Sequence, residues 1–144
     1  MPTQYRDFME EEKECPFCHR KESDVIMESK HAYATYALAP YHKDHLLVIP
    51  KRHVTHILDL TPEEQHDIDN LMDTLWQDMQ KKFKYKDVSF LVRDGKGSGA
   101  SVEHTHYHII PETKIGDFEH DPDNRNILGT RAIKNEVERI KAIV

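Results

Sequence analysis

The sequence predicts an α+β domain. Four runs of strand length, bounded by proline, glycine or polar residues, are interrupted by one long amphipathic window, and a second such window closes the chain. With 144 residues and no internal repeat, low-complexity tract or linker-like stretch, a single domain over 1–144 is expected. Within it, residues 1–14 read as an acidic arm, 15–111 as the core, and 112–144 as a loop followed by a helix.

Taken in order, Cys15-Pro16-Phe17-Cys18-His19 has the composition of a tight knuckle. Ala32–Leu38 reads as a strand, with Tyr33, Thr35 and Ala37 opposite Ala34, Tyr36 and Leu38, and Pro40 closes it. His45–Ile49 is too short and too β-branched for a helix, so it is a second strand, ended by Pro50. A helix is predicted over 62–84. Thr61 is its N-cap, Pro62 stands at the first helical position, and Glu64 completes a capping box. Ile68, Leu71, Met72, Leu75, Trp76, Met79 and Phe83 recur at helical spacing and form a core stripe. Asp87–Arg93 is a third strand, with Val88, Phe90 and Val92 on one face and Leu91 on the other. A loop holding Gly95, Gly97 and Gly99 opens into Val102–Pro111, read as a fourth strand. Thr130–Val144 has Ile133, Val137, Ile140 and Val144 at helical spacing, a C-terminal helix.

Composition removes several function classes. A net charge of −6 argues against a partner presenting a polyanionic surface, whether a nucleic-acid polymer or a membrane. Met1–Glu14 lacks an apolar core of the secretory kind, and the longest apolar run, Leu46–Ile49, is far short of a bilayer span. Two cysteines cannot make a disulfide framework. A cytoplasmic protein is expected.

The histidines carry the chemistry. On a strand, His104, His106 and His108 would all point to one face. The outer two would then stand about 13 Å apart, too far for all three to share an ion that needs each nitrogen at about 2.0–2.1 Å. At least one imidazole is therefore left for other chemistry. It follows a loop in which Gly95, Gly97 and Gly99 let backbone N–H groups approach an anion, with Ser98 and Ser101 as further donors. Imidazole attacks phosphorus at neutral pH and forms a phosphoramidate that water hydrolyses. A phosphate-ester or phosphoanhydride enzyme is the reading this combination supports.

The Gly/Ser loop followed by His104-Thr105-His106-Tyr107-His108-Ile109-Ile110-Pro111 resembles the signature of the histidine triad (HIT) superfamily of nucleotide hydrolases and transferases. His45-Leu46-Leu47-Val48-Ile49-Pro50-Lys51-Arg52-His53 is similar to that family's second hallmark strand. The resemblance implies an antiparallel sheet of about five strands with one long helix and a C-terminal helix, and a homodimer. It also implies a purine nucleotide substrate, a dinucleoside polyphosphate or a phosphoramidate, cleaved at the α-phosphorus through a covalent nucleotidyl-histidine. Carried over by position, His106 is the nucleophile, while His108 and Ser101 complete the catalytic set. Gly99, Ser101, His106 and His108 meet the phosphate. Walls for the base come from the strands Ala32–Leu38 and Leu46–Ile49, and His45 is read as a supporting residue.

Cys15-x-x-Cys18 supplies two thiolates at a spacing that suits zinc and also suits redox-active or merely buried cysteines. In the zinc-containing branch of the superfamily the set is completed by the residues matching His53 and His104. Four protein ligands close a tetrahedral shell, so the resemblance implies a structural zinc ion. Four positions depart from the family pattern: Ala100 replaces a glutamine, Asp44 a glycine, Ala37 the residue that meets the ribose, and Glu112 an arginine. Ala37 and Ala100 favour a second reading, a zinc-stabilised nucleotide-binding module with little or no activity.

Overall fold

Leu46–Pro50 holds no polar side chain, and all five residues are buried. A strand apolar throughout belongs in the middle of a sheet covered on both faces. The computed structural model, which describes residues 14–100, 102–114 and 128–142, places it there. The strands are β1 (Val25–Glu28), β2 (Ala32–Tyr36), β3 (Leu46–Pro50), β4 (Val88–Val92) and β5 (Tyr107–Pro111). They form one antiparallel sheet in the order β1-β2-β3-β5-β4. The helices are α1 (Pro62–Phe83) and α2 (Thr130–Lys141). The predicted acidic arm falls almost wholly outside the described residues, as does Ser101.

Alternation along the strands separates two cores. Ala32, Ala34, Leu46, Val48 and Ile109 pack against Ile68, Leu71, Met72, Leu75 and Met79 of α1. Tyr33, Leu47 and Ile49, from the same strands, form the other cluster with Phe17, Ala37 and Val102. Phe83, predicted to close the α1 stripe, is exposed instead, because it is the last helical residue before Lys84 turns into the left-handed region (φ 62°). The chain separates into two units at Lys114/Ile115. In the second, α2 is exposed along its length and carries an Arg139–Glu136 pair.

Two sequence expectations need correction. The sheet has a strand, Val25–Glu28, that the pattern did not reveal. The last strand begins at Tyr107 rather than Val102. Two bonds bend the chain before it: the Thr105 N–H donates to the Val54 carbonyl (2.6 Å), and His104 Nε2 lies 2.8 Å from the Pro50 carbonyl. His104 and His106 therefore precede the strand, and the three histidines do not form one flat row.

The capping box at α1 is present, with Thr61 Oγ1 accepting from the Glu64 N–H (3.1 Å) and Glu64 Oε1 accepting from the Thr61 N–H (2.9 Å). Glu64 is buried and also accepts from Arg52 through Nη2 (2.8 Å) and Nε (3.1 Å). Arg52 holds the Glu64 carboxyl down to about 2, so the helix start is tied to the residue beside His53. Glu64→Ala is expected to cost about 2–3 kcal/mol, from a lost cap and a broken ion pair whose arginine is half exposed. Because the folded-state pKa is depressed, this stabilisation is present above pH about 4.5 and lost as pH falls towards 2. Urea unfolding of both proteins at pH 7 and pH 3 checks it: the difference should shrink at the lower pH.

Candidate active site and metal centre

Two sites share the face of the sheet opposite α1. The first gathers Cys15, Cys18, His53 and His104, whose ligand atoms all lie within 4.8 Å of one another. His104 Nδ1 is 3.3 Å from Cys15 Sγ, 3.5 Å from Cys18 Sγ and 3.2 Å from His53 Nδ1; Cys18 Sγ is 3.2 Å from His53 Nδ1. A tetrahedral ion at zinc-like bond lengths sets edges of about 3.4 Å between two nitrogens and about 3.6 Å between nitrogen and sulfur. The spacing therefore fits one ion held by all four. The tautomer fits too: His104 Nε2–H donates to the Pro50 carbonyl, leaving a lone pair on Nδ1, where the other three donors converge.

Phe17, inside the Cys15-x-x-Cys18 knuckle, links this centre to the second site. Its ring meets those of His104 (centroids 5.8 Å) and His106 (5.0 Å) edge-on. Its carbonyl accepts the Tyr33 hydroxyl at 2.7 Å, which pins the knuckle to β2.

The second site is a cavity lined by Ala37, Leu47, His45, His106, His108 and Arg93, among others. His106 and His108 have ring centroids 5.0 Å apart. His106 Nδ1 lies 2.8 Å from the His104 carbonyl and must donate to it, so in the neutral ring the free lone pair is on Nε2. Burial lowers the His106 pKa below the ordinary imidazole value and favours that neutral form. The Tyr41 N–H donates to His45 Nδ1 (3.1 Å), which puts the His45 proton on Nε2. That proton faces His108 Nδ1 at 2.9 Å. The neutral His108 ring then carries its own proton on Nε2. The pair thus leaves a lone pair on His106 and an N–H donor on His108. Burial first, with the neighbouring imidazoles adding to it, lowers His45 to about 4 and His108 to about 3.

Of the phosphate-loop residues, Gly99 lines the cavity, in the left-handed region at φ 96°. Ser101 lies outside the described residues. Both proposed base-wall strands contribute, through Ala37 and Leu38 on one side and Leu47 on the other. Asp44 accepts the Tyr85 hydroxyl, and Glu112, at φ 48°, accepts the Lys86 N–H at 2.7 Å. Two departures thus have local partners, whereas Ala37 and Ala100 line the cavity with side chains that hold no polar atom. Sequence reasoning missed Arg93. Its place follows from the β4–β5 register, in which Leu91 stands opposite His108 and Arg93 comes two residues later.

The sequence pattern of the HIT domain matches residues 19–115. A bis(5'-adenosyl)-triphosphatase of Dictyostelium discoideum is 33% identical over 119 residues, covering 83% of this chain and 73% of that protein. An asymmetrical bis(5'-nucleosyl)-tetraphosphatase of Schizosaccharomyces pombe is 35% identical over 99 residues, covering 69% of this chain but only 54% of its own length. Among solved structures, a Zn-bound histidine triad family protein of Mycobacterium smegmatis superposes with a TM-score of 0.62 at 26% identity, covering 76% of this chain and 84% of that one. Fold, histidine arrangement and sequence agree, and the chain belongs to the HIT domain family.

Proposed function

We propose that this protein cleaves dinucleoside polyphosphates or nucleoside phosphoramidates at the α-phosphorus, through a nucleotide carried covalently on His106. The observation that carries the reading is the tautomer pair: a lone pair on His106 Nε2 beside an N–H on His108, in one cavity. The relatives act on substrates of the first class by name, which supports it.

In the first step the His106 Nε2 lone pair forms a bond to the α-phosphorus as the bond to the leaving oxygen or nitrogen breaks. A polyphosphate leaves with its charge; an amine leaves with a proton taken from solvent, which the attacking water of the second step returns. The imidazolium so formed keeps its Nδ1–H on the His104 carbonyl, which offsets the positive charge. His108 Nε2–H donates to a non-bridging oxygen of the α-phosphate. Water then attacks the phosphorus, the N–P bond breaks, neutral His106 returns, and the monophosphate and the water's proton depart. The Cys15, Cys18, His53 and His104 set holds zinc in our reading, supported by its tetrahedral spacing and the Zn-bound relative. Held by four protein ligands, such an ion would be structural, and the four residues holding it would fix the His104 segment whose carbonyl orients His106.

The test is monophosphate release from diadenosine triphosphate, diadenosine tetraphosphate and an adenosine phosphoramidate, followed against pH. Release from at least one is expected. No release from any, with nucleotide still bound, would favour the binding-module reading that Ala37 and Ala100 suggest. The profile should stay level from pH 8 through the ordinary imidazole value of about 6.5, because burial lowers His106, whose neutral form attacks, below that value. His45 and His108 face Tyr41, His42, His106 and Arg93, and they remain neutral until pH approaches about 4. Since their folded-state values are depressed, the stability they confer is complete above pH about 6.5 and lost as pH falls towards 3–4. A loss of half the rate near pH 6.5 would contradict this.

A further inference from the structure

We infer that Arg93 is the clamp for the leaving polyphosphate, selecting substrates whose leaving group is anionic over those that expel an amine. This rests on the reading of His106 and His108 given above.

The strand order lays the cavity out in sequence. Ala37 and Leu38 follow β2, Leu47 lies on β3, His106 and His108 stand just before and on β5, and Leu91 and Arg93 stand on and just after β4. Val92 pairs with Tyr107 and Leu91 with His108, so Arg93 and His106 each stand one residue beyond the last pair of the ladder, and both line the cavity. Neighbouring strands are about 4.8 Å apart, a distance the next phosphate of a chain can cover. A nucleoside against the apolar wall, with its α-phosphorus over the histidines, therefore directs its remaining phosphates towards β4.

Charge supports the same orientation. Among the described residues lining the cavity, Arg93 alone is permanently charged. The imidazoles there offer one lone pair and one neutral N–H, and Ala100 offers no polar side-chain atom. A polyphosphate brings several negative charges, and a guanidinium meets phosphate oxygens through paired N–H donors. The side chain also has a defined seat. Gly99 sits at φ 96°, and a Cβ there would lie 2.6 Å from Arg93 Nη1, so the loop backbone closes on the guanidinium. Arg93 also acts on His108, since its charge contributes to lowering that imidazole's pKa.

The experiment measures kcat/KM for diadenosine triphosphate and for an adenosine phosphoramidate in wild type, Arg93→Gln and Arg93→Lys. Arg93→Gln should lower the polyphosphate-to-phosphoramidate ratio by about 10–100-fold, the range for a lost charge-assisted hydrogen bond, and Arg93→Lys should recover part of it. An unchanged ratio in both variants would overturn the inference while leaving the proposed function standing. In a His106→Ala background, titration with tripolyphosphate and with AMP gives a readout independent of turnover. Arg93→Gln should weaken tripolyphosphate more than AMP. Equal weakening, or none, would count against the clamp even if the wild type proved inactive.

Discussion

His106→Ala is expected to abolish monophosphate release, lowering kcat by about 10⁴-fold or more, while metal content and fold persist. The size follows from what is removed. His108 carries its available proton on Nε2 and has its Nδ1 occupied by His45, so it presents no lone pair to phosphorus. His45 has both ring nitrogens engaged, by the Tyr41 N–H and by His108. His104 donates through Nε2 to Pro50 and turns Nδ1 to the cysteines and His53. Among these four histidines, only His106 has an imidazole nitrogen left to attack. Steady-state release by wild type and variant, with elemental analysis of both, checks the expectation. Turnover within 100-fold of wild type would refute the assignment of the nucleophile.

Replacing Cys15 and Cys18 together by serine is expected to remove bound zinc and to destabilise the fold on the order of 3–5 kcal/mol. The chain should remain partly folded, because the cluster between α1 and the sheet lies on the other face. Activity should fall as well. Without the ion, the His104 ring keeps its Pro50 bond but loses its hold through Nδ1, and the knuckle that carries Phe17 against His106 is released. Thermal unfolding of wild type with and without a chelator, beside the double variant, measures the effect. Chelation should lower the wild-type midpoint and leave the variant unmoved. A wild type that purifies without zinc and ignores the chelator would contradict the structural role.

The elements legible in the sequence were those whose signals are local. Thr61, Pro62 and Glu64 announce α1 because capping is a short-range hydrogen-bond problem. The apolar run Leu46–Ile49 announces a strand, and the structure carries it on to Pro50 and covers both its faces. What escaped was set by distant partners. Val25–Glu28 is short and only every other residue is half-buried, so alternation over four residues gave too little signal. The 102–106 segment keeps the alternating pattern of a strand, yet Val54 and Pro50, fifty residues earlier in the chain, bend it. That bend separates the histidines into one that turns to the cysteines and two that face the cavity. The role of Arg93 depends on strand register, which a single sequence does not print.

The most direct test of nucleotidyl transfer through His106 is the stereochemical course at phosphorus. Hydrolysis in isotopically labelled water of a substrate made chiral at the α-phosphorus should proceed with retention, because attack by His106 and then by water are two successive in-line displacements. Inversion would mean a single displacement by water, and His106 could not then carry the nucleotide.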